Sequence, residues 1–156
     1  MTSQAVHTQG RYYQFIIENQ VLNHVKAALR KTLASREDLM GLDRKVSTVR
    51  FVTESLVRHL HRLLDMEDDD QEQVPVNEIK PHLVTTAAAL QAEHMEFRQQ
   101  LNHLAEGVSE ITPENEPQFD EFCKELLAFL DRLDKHESAE LQMLQELHNS
   151  DVGGEG

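Results

Sequence analysis

The chain has 156 residues, with 15 Lys and Arg against 28 Asp and Glu, and its formal net charge is −13 when histidine is neutral. Such a negative surface repels nucleic-acid phosphates and anionic lipids, which argues against nucleic-acid and membrane-surface functions. Aromatic residues make up only 5% of the chain, tryptophan is absent, and Gly and Pro are scarce, so the many helix-forming residues favour an all-α protein.

The length predicts one domain, covering residues 1–150, followed by a disordered tail at 151–156. The single Cys123 cannot form an internal disulfide, which suits a reducing compartment. No apolar run approaches the roughly 20 residues of a membrane span, and the first residues lack a secretory signal pattern. We therefore expect a soluble, cytoplasmic protein.

Apolar residues at spacings of three and four predict four amphipathic helices. The first spans about residues 12–34 and the second about 43–66. The acidic segment 67–72, followed by Gln73-Val74-Pro75, predicts a solvated loop that lacks the glycine and spacing of a calcium-binding loop. The third helix begins near Val76 or Pro81 and ends at Gly107, a suitable C-terminal cap, and the fourth spans about 117–148. Short connections predict an up-down-up-down antiparallel four-helix bundle.

Nine histidines are present, and each predicted helix has one of them near its apolar stripe, namely His24, His61, His94 and His136. Asp65 and Glu140 follow two of these histidines by four residues, which places each pair on one helix face. Buried imidazoles and carboxylates without partners are costly, and a bound metal removes that cost. The mixed donor set suits iron, manganese or zinc, whereas the absence of clustered cysteines argues against an iron–sulfur site.

This pattern resembles that of the hemerythrin-like (HHE cation-binding) domains, and the resemblance covers nearly the whole chain. It implies two non-haem iron ions bridged by Asp65 and Glu140, with terminal ligands from the four histidines His24, His61, His94 and His136. It also implies an open coordination position that takes dioxygen or a similar small molecule, for storage, transport or the sensing of oxygen, nitric oxide or iron.

Three features depart from the family pattern. Asp65 stands where the family usually has the longer Glu, and Arg98 occupies the position of a second histidine on the third helix. On the second helix, His59 has an apolar stripe behind it much as His61 does, but Leu63 stands where its acidic partner should be. Residues two apart point to opposite sides of a helix, so at most one of the two is a ligand, and Asp65 favours His61.

Two other functions fit the same sequence. A metal-free helical bundle that binds a regulatory protein partner would keep the fold without the site. Oxidative catalysis, such as removal of peroxide or nitric oxide, would use the same metal pair, so the sequence leaves open whether the protein is an enzyme. Hydrolysis and phosphoryl transfer have no support, because the chain has no phosphate-binding loop, nucleophile elbow or Cys-x-x-Cys.

Overall fold

The computed structural model describes residues 2–71 and 81–153, and these residues are almost entirely helical. The helices are α1 (Thr2–Ala34), α2 (Glu37–Met40), α3 (Leu42–Gln71), α4 (Pro81–Glu110) and α5 (Glu116–Gly153). No strand occurs within these residues, which confirms the all-α prediction. In the same residues, no helix is both long enough and apolar enough to cross a bilayer.

The four long helices pack around a leucine-rich core. Helix α1 contacts α3 and α5, and α4 lies against both α3 and α5. The largest fully buried side chains come from all four long helices and include Leu22, Leu29, Leu56, Leu60, Phe97, Leu101, Phe119 and Leu126. This arrangement is compatible with a four-helix bundle.

Long basic side chains connect the helix ends. Lys45 of α3 donates hydrogen bonds to the carbonyl oxygens of Leu33 and Ser35 at 3.4 and 3.1 Å. Arg50 of the same helix donates to the carbonyl oxygens of Val108 and Ile111, where α4 ends. The last carbonyls of a helix lack partners within it, so these hydrogen bonds attach the C-terminal ends of α1 and α4 to α3.

Several predicted helix ends differ from the structure. The acidic segment, predicted to be a loop, continues α3 as far as Gln71. Gly107 does not end α4, which continues for three more residues to Glu110. A Cβ atom at Gly107 would lie 3.2 Å from the Phe122 ring of α5, so the missing side chain allows the two helices to approach closely. The left-handed glycine is instead Gly41, with φ 83°, at the turn between α2 and α3.

Other boundaries differ by varying amounts. Helix α1 begins at Thr2, about ten residues before its predicted start near Tyr12. Helix α4 begins at Pro81, and the alternative start at Val76 lies outside the described residues. Helix α5 begins just after Asn115, whose side-chain oxygen accepts a hydrogen bond from the backbone N–H of Gln118 at 3.2 Å, as an N-cap does. The helix continues to Gly153, so the first residues of the predicted tail are helical.

Candidate metal centre

Two imidazoles and two carboxylates from three helices meet at one point. Glu67 comes from α3, His94 from α4, and His136 and Glu140 from α5. One donor atom of each residue lies within 4.8 Å of the donor atoms of the other three. Only 1% of His94 and 4% of His136 is exposed to solvent. The cluster therefore lies inside the protein, with its two carboxylates half-buried at the border of the core.

The inner distances are short. The Nε2 atoms of His94 and His136 lie 3.1 Å apart. Oε1 of Glu140 lies 2.6 Å from Nε2 of His136 and 3.3 Å from Nε2 of His94. Oε2 of Glu67 lies 3.2 Å from the same His94 nitrogen. Two imidazole nitrogens and two carboxylate oxygens, which are donor types that bind transition metals, therefore surround a common centre.

A second carboxylate holds the other nitrogen of each ring. Nδ1 of His94 lies 2.8 Å from Oδ1 of Asp68, and Nδ1 of His136 lies 2.7 Å from Oε2 of Glu93. An ionised carboxylate only accepts hydrogen bonds, so each Nδ1 carries the proton that it donates. A neutral imidazole in this tautomer presents the lone pair of Nε2 to the centre. Two such lone pairs 3.1 Å apart repel each other unless a cation or a proton lies between them.

The pKa values of the two histidines are raised by the carboxylates around them. Burial lowers the pKa of His94, but hydrogen bonds to Glu140, Glu67 and Asp68 outweigh that effect and raise the pKa to about 10. Burial also lowers the pKa of His136, and its carboxylate partners again raise it above the ordinary value. Without a metal, at least one imidazole is therefore protonated at neutral pH, and a metal ion would have to displace that proton.

The two inner carboxylates differ in their acidity. Burial would raise the pKa of Glu140, but hydrogen bonds from His136 and His94 lower it to about 2. Burial raises the pKa of Glu67, and its hydrogen bond to His94 offsets this only in part. Glu140 is therefore ionised and balances the positive charge of the protonated imidazole, whereas Glu67 is the carboxylate that binds a proton more readily.

One side of the cluster is apolar. The ring of Phe97 meets His136 edge-on, with centroids 5.0 Å apart, and Phe129 meets Phe97 in the same way at 5.8 Å. The guanidinium of Arg132 lies 5.4 Å above the Phe97 ring and covers it from outside. This wall excludes water from the His136 side, which strengthens the electrostatic contacts within the cluster.

The residues fit a transition-metal ion. Two imidazole nitrogens with two carboxylate oxygens form a ligand set used for iron, manganese and zinc. A carboxylate on the remote nitrogen of each histidine is the arrangement that orients metal-binding imidazoles and increases their basicity. A second acidic group, Glu37 with Glu116 and Asp120, has no imidazole and is largely exposed, so it lacks these features.

Three of the six predicted ligands lie in the cluster, namely His94, His136 and Glu140. The other three lie elsewhere: His24 is exposed on α1, and His61 is half-buried on α3. The side chain of Asp65 is 69% exposed, and its carboxylate accepts a hydrogen bond from Arg98 at 2.7 Å. Ligand roles for these three stay sequence-based predictions, and the proposed centre does not use them.

The alternative histidine of α3 also lies outside the cluster. His59 is half-buried, and its Nδ1 lies 3.1 Å from Oε2 of Glu18 on α1. Glu18 is itself almost fully buried, so this pair connects α1 to α3. His59 thus has a structural partner of its own.

Sequence reasoning missed Glu67, which is the inner carboxylate from α3. It follows Leu60, Leu63 and Leu64 by seven, four and three residues, so it continues their buried stripe. That signal becomes readable only when the helix is extended through the acidic segment. Asp68 and Glu93, which hold the outer nitrogens of the histidines, were missed as well.

Comparison with protein-family models, with curated proteins and with solved structures finds no match to this chain. The hemerythrin-like resemblance therefore depends on the residue pattern alone.

Proposed function

We propose that this protein binds one divalent transition-metal ion through Glu67, His94, His136 and Glu140. The observation that carries the proposal is the direction of the two imidazoles. Both Nδ1 atoms are held by carboxylates, so both Nε2 lone pairs point to the place where two further carboxylate oxygens lie. A metal cation, which would take the place of the proton held by the metal-free cluster, makes this arrangement favourable.

The charge of the donor set supports a divalent ion. Two ionised carboxylates and two neutral imidazoles together neutralise a charge of +2, which lowers the cost of burying the ion. When bound, the metal supplies Lewis acidity, and redox activity in the case of iron or manganese. Glu140 and Glu67 balance its charge, Asp68 and Glu93 orient the imidazoles, and Phe97 keeps water from one side.

A hemerythrin-like di-iron function, with binding of dioxygen or nitric oxide, is the second candidate. It is favoured by the sequence pattern that includes His94, His136 and Glu140. A second iron would need further ligands, and the pattern assigns them to His24, His61 and Asp65, which lie outside the cluster. The two candidates therefore differ in stoichiometry, with one ion per chain in the first and two in the second.

We also propose that the long helices run up-down-up-down, as the hemerythrin-like candidate requires. In the supporting contacts, residue numbers rise along one helix while those of their partners fall along the next. Between α1 and α3, Glu18 lies near His59 and Leu33 near Lys45. Between α3 and α4, Arg50 lies near Val108 and Asp65 near Arg98, and between α4 and α5, Glu93 lies near His136 and His103 near Glu125.

Metal analysis of reloaded protein tests the proposal. Protein stripped with a chelator is loaded anaerobically with ferrous iron, and in parallel with manganese or zinc, and is then desalted. We expect one retained ion per chain in the wild type and little in His94→Ala or His136→Ala. His103→Ala is the matched control, because His103 is an exposed histidine on α4 whose partner is Glu125.

Thermal unfolding gives an independent measurement, because a ligand that binds only the folded state raises the Tm. Uptake of two irons per chain would favour the di-iron candidate. If the wild type retains no metal and its Tm does not change with any of the three ions, the centre is not a metal site. The protein would then be a metal-free bundle.

A further inference from the structure

Arg98 lies one helical turn after His94 on α4, and its ion pairs are with Asp65 and Asp68, which are not among the four proposed ligands. Its Nη1 lies 2.8 Å from Oδ2 of Asp68, and its Nη2 lies 2.7 Å from Oδ1 of Asp65. The other oxygen of Asp68 accepts the hydrogen bond from Nδ1 of His94 at 2.8 Å. A continuous series of short contacts therefore runs from the guanidinium through Asp68 to one proposed metal ligand.

The guanidinium of Arg98 offsets negative charge at the C-terminal end of α3. Five acidic residues lie between positions 65 and 70, and no basic residue lies in the last turn of the helix. Negative charges at the C-terminal end of a helix are unfavourable, because the helix dipole is negative there and the carboxylates repel one another. In the described part of the chain, Arg98 and His94 of α4 are the basic groups that contact these carboxylates.

Glu67 belongs to this acidic turn, so the contacts of Arg98 involve the surroundings of two proposed ligands, His94 and Glu67. Arg98 holds the carboxylate that fixes the tautomer of His94, and it connects the helix turn that carries Glu67 to α4. The planar guanidinium reaches Asp65 and Asp68 with separate nitrogens, an arrangement that the single ammonium group of lysine cannot reproduce with the same geometry.

We propose that Arg98 is a positioning residue for the metal centre, an inference that depends on the metal-binding function proposed above. Through Asp68 it keeps Nδ1 of His94 as the donor and Nε2 directed at the metal. Through both aspartates it keeps the last turns of α3 helical, so that Glu67 faces the centre. Changes to carboxylates in this position typically weaken metal binding by about 10- to 100-fold, and we expect an effect of that size from the loss of Arg98.

Zinc affinity provides the first test, measured by competition with a chromophoric chelator. We expect Arg98→Gln to weaken zinc binding by about 10- to 100-fold and Arg98→Lys to recover part of the loss. Arg30→Gln is the matched control, since Arg30 also pairs with two aspartates, Asp131 and Asp134, and makes no contact with the cluster. This control should bind zinc as the wild type does.

Two further measurements separate positioning from general destabilisation. In zinc-loaded protein with isotope-labelled histidine, the Nδ1 proton of His94 should be protected from solvent exchange in the wild type. It should exchange faster in Arg98→Gln, while that of His136 stays protected. In metal-free Arg98→Gln, amide hydrogen exchange should be faster than in the metal-free wild type in the last turns of α3. It should be unchanged at the other end of that helix.

The outcomes distinguish this inference from the function on which it depends. If the wild type binds zinc and Arg98→Gln binds it equally well, with the His94 proton still protected, Arg98 is not a positioning residue and the metal site stands. If the wild type retains none of iron, manganese and zinc, the proposed function fails and the positioning role fails with it. If it retains iron or manganese but no zinc, the same comparison of Arg98→Gln with the wild type and with Arg30→Gln is made with that ion. Equal losses in Arg98→Gln and in the Arg30→Gln control would show general destabilisation and would also overturn the inference.

Discussion

The metal-free protein should lose stability as the pH rises from neutral, because His94 gives up a proton that the fold holds tightly. Its pKa rises from 6.5 to about 10 in the folded state. The stability that this proton contributes is fully present below about pH 6.5 and is lost as the pH rises through about 10. The linkage relation gives a loss of about 3 kcal/mol in the free energy of unfolding between pH 6.5 and pH 9.

Urea unfolding of chelator-treated protein at several pH values measures this loss. His94→Gln removes this titrating group and should make the dependence shallower, although His136, whose pKa is also raised, keeps part of it. The difference between the two curves separates the contribution of His94 from the effect of overall charge. His103→Gln, a change at an exposed histidine, should follow the wild type. A wild-type free energy that stays constant from pH 6.5 to 9, or a His94→Gln curve that falls as steeply, would refute the electrostatic account of the cluster.

Three further predictions concern other parts of the fold. Lys26→Met should destabilise the protein by roughly 1–3 kcal/mol in urea unfolding, because Glu137 would lose the ammonium group with which it pairs and Asp134 would keep only Arg30. Lys31→Met, at an exposed position of the same helix, should have little effect, and equal losses would contradict this. Gly107→Leu should lower stability by roughly 1–3 kcal/mol through overpacking against Phe122, and an unchanged Tm would show that the ring moves aside freely. Cys123 should react with a disulfide reagent more slowly than free glutathione at pH 8, because burial raises the pKa of its thiol to about 11; a rate equal to that of glutathione would contradict the burial.

The long helices could be predicted because their apolar periodicity is strong, but several of their ends could not. The sequence predicts a loop for the acidic segment because it leads into Gln73-Val74-Pro75. In isolation, clustered negative charge at the C-terminal end of a helix is also unfavourable. The charges of this segment are offset by Arg98 and His94 of α4, which are distant in sequence. Gly107 has the composition of a cap, but its role depends on the approach of Phe122 from another helix.

Helix α1 shows why one of the predicted histidines lies outside the cluster. His24 was placed on the buried face because it follows Ile17 and Val21, but Ile17 is 57% exposed. The buried face of α1 instead includes Glu18 and Lys26 beside its leucines. Both charged residues are paired across helices, with His59 and with the acids of α5. Apolar counting alone could not identify a face that polar pairs help to form.

On α3, spacing alone selected Asp65 because it follows His61 by four residues. That rule reports a shared helix face and not whether the face is buried. The carboxylate that reaches the cluster is Glu67, two residues later. The partners of the outer imidazole nitrogens were beyond sequence reasoning, because Asp68 lies 26 residues from His94 and Glu93 lies 43 residues from His136. Those contacts depend on how the helices pack.

X-ray absorption spectroscopy of zinc-loaded protein tests the central claim most directly, because it reports the atoms bound to the metal. Our account predicts one zinc ion coordinated by two imidazole nitrogens and by carboxylate oxygens, and little retained zinc in His136→Ala. A wild-type spectrum without imidazole scattering, or a His136→Ala protein that retains zinc with an unchanged spectrum, would contradict it.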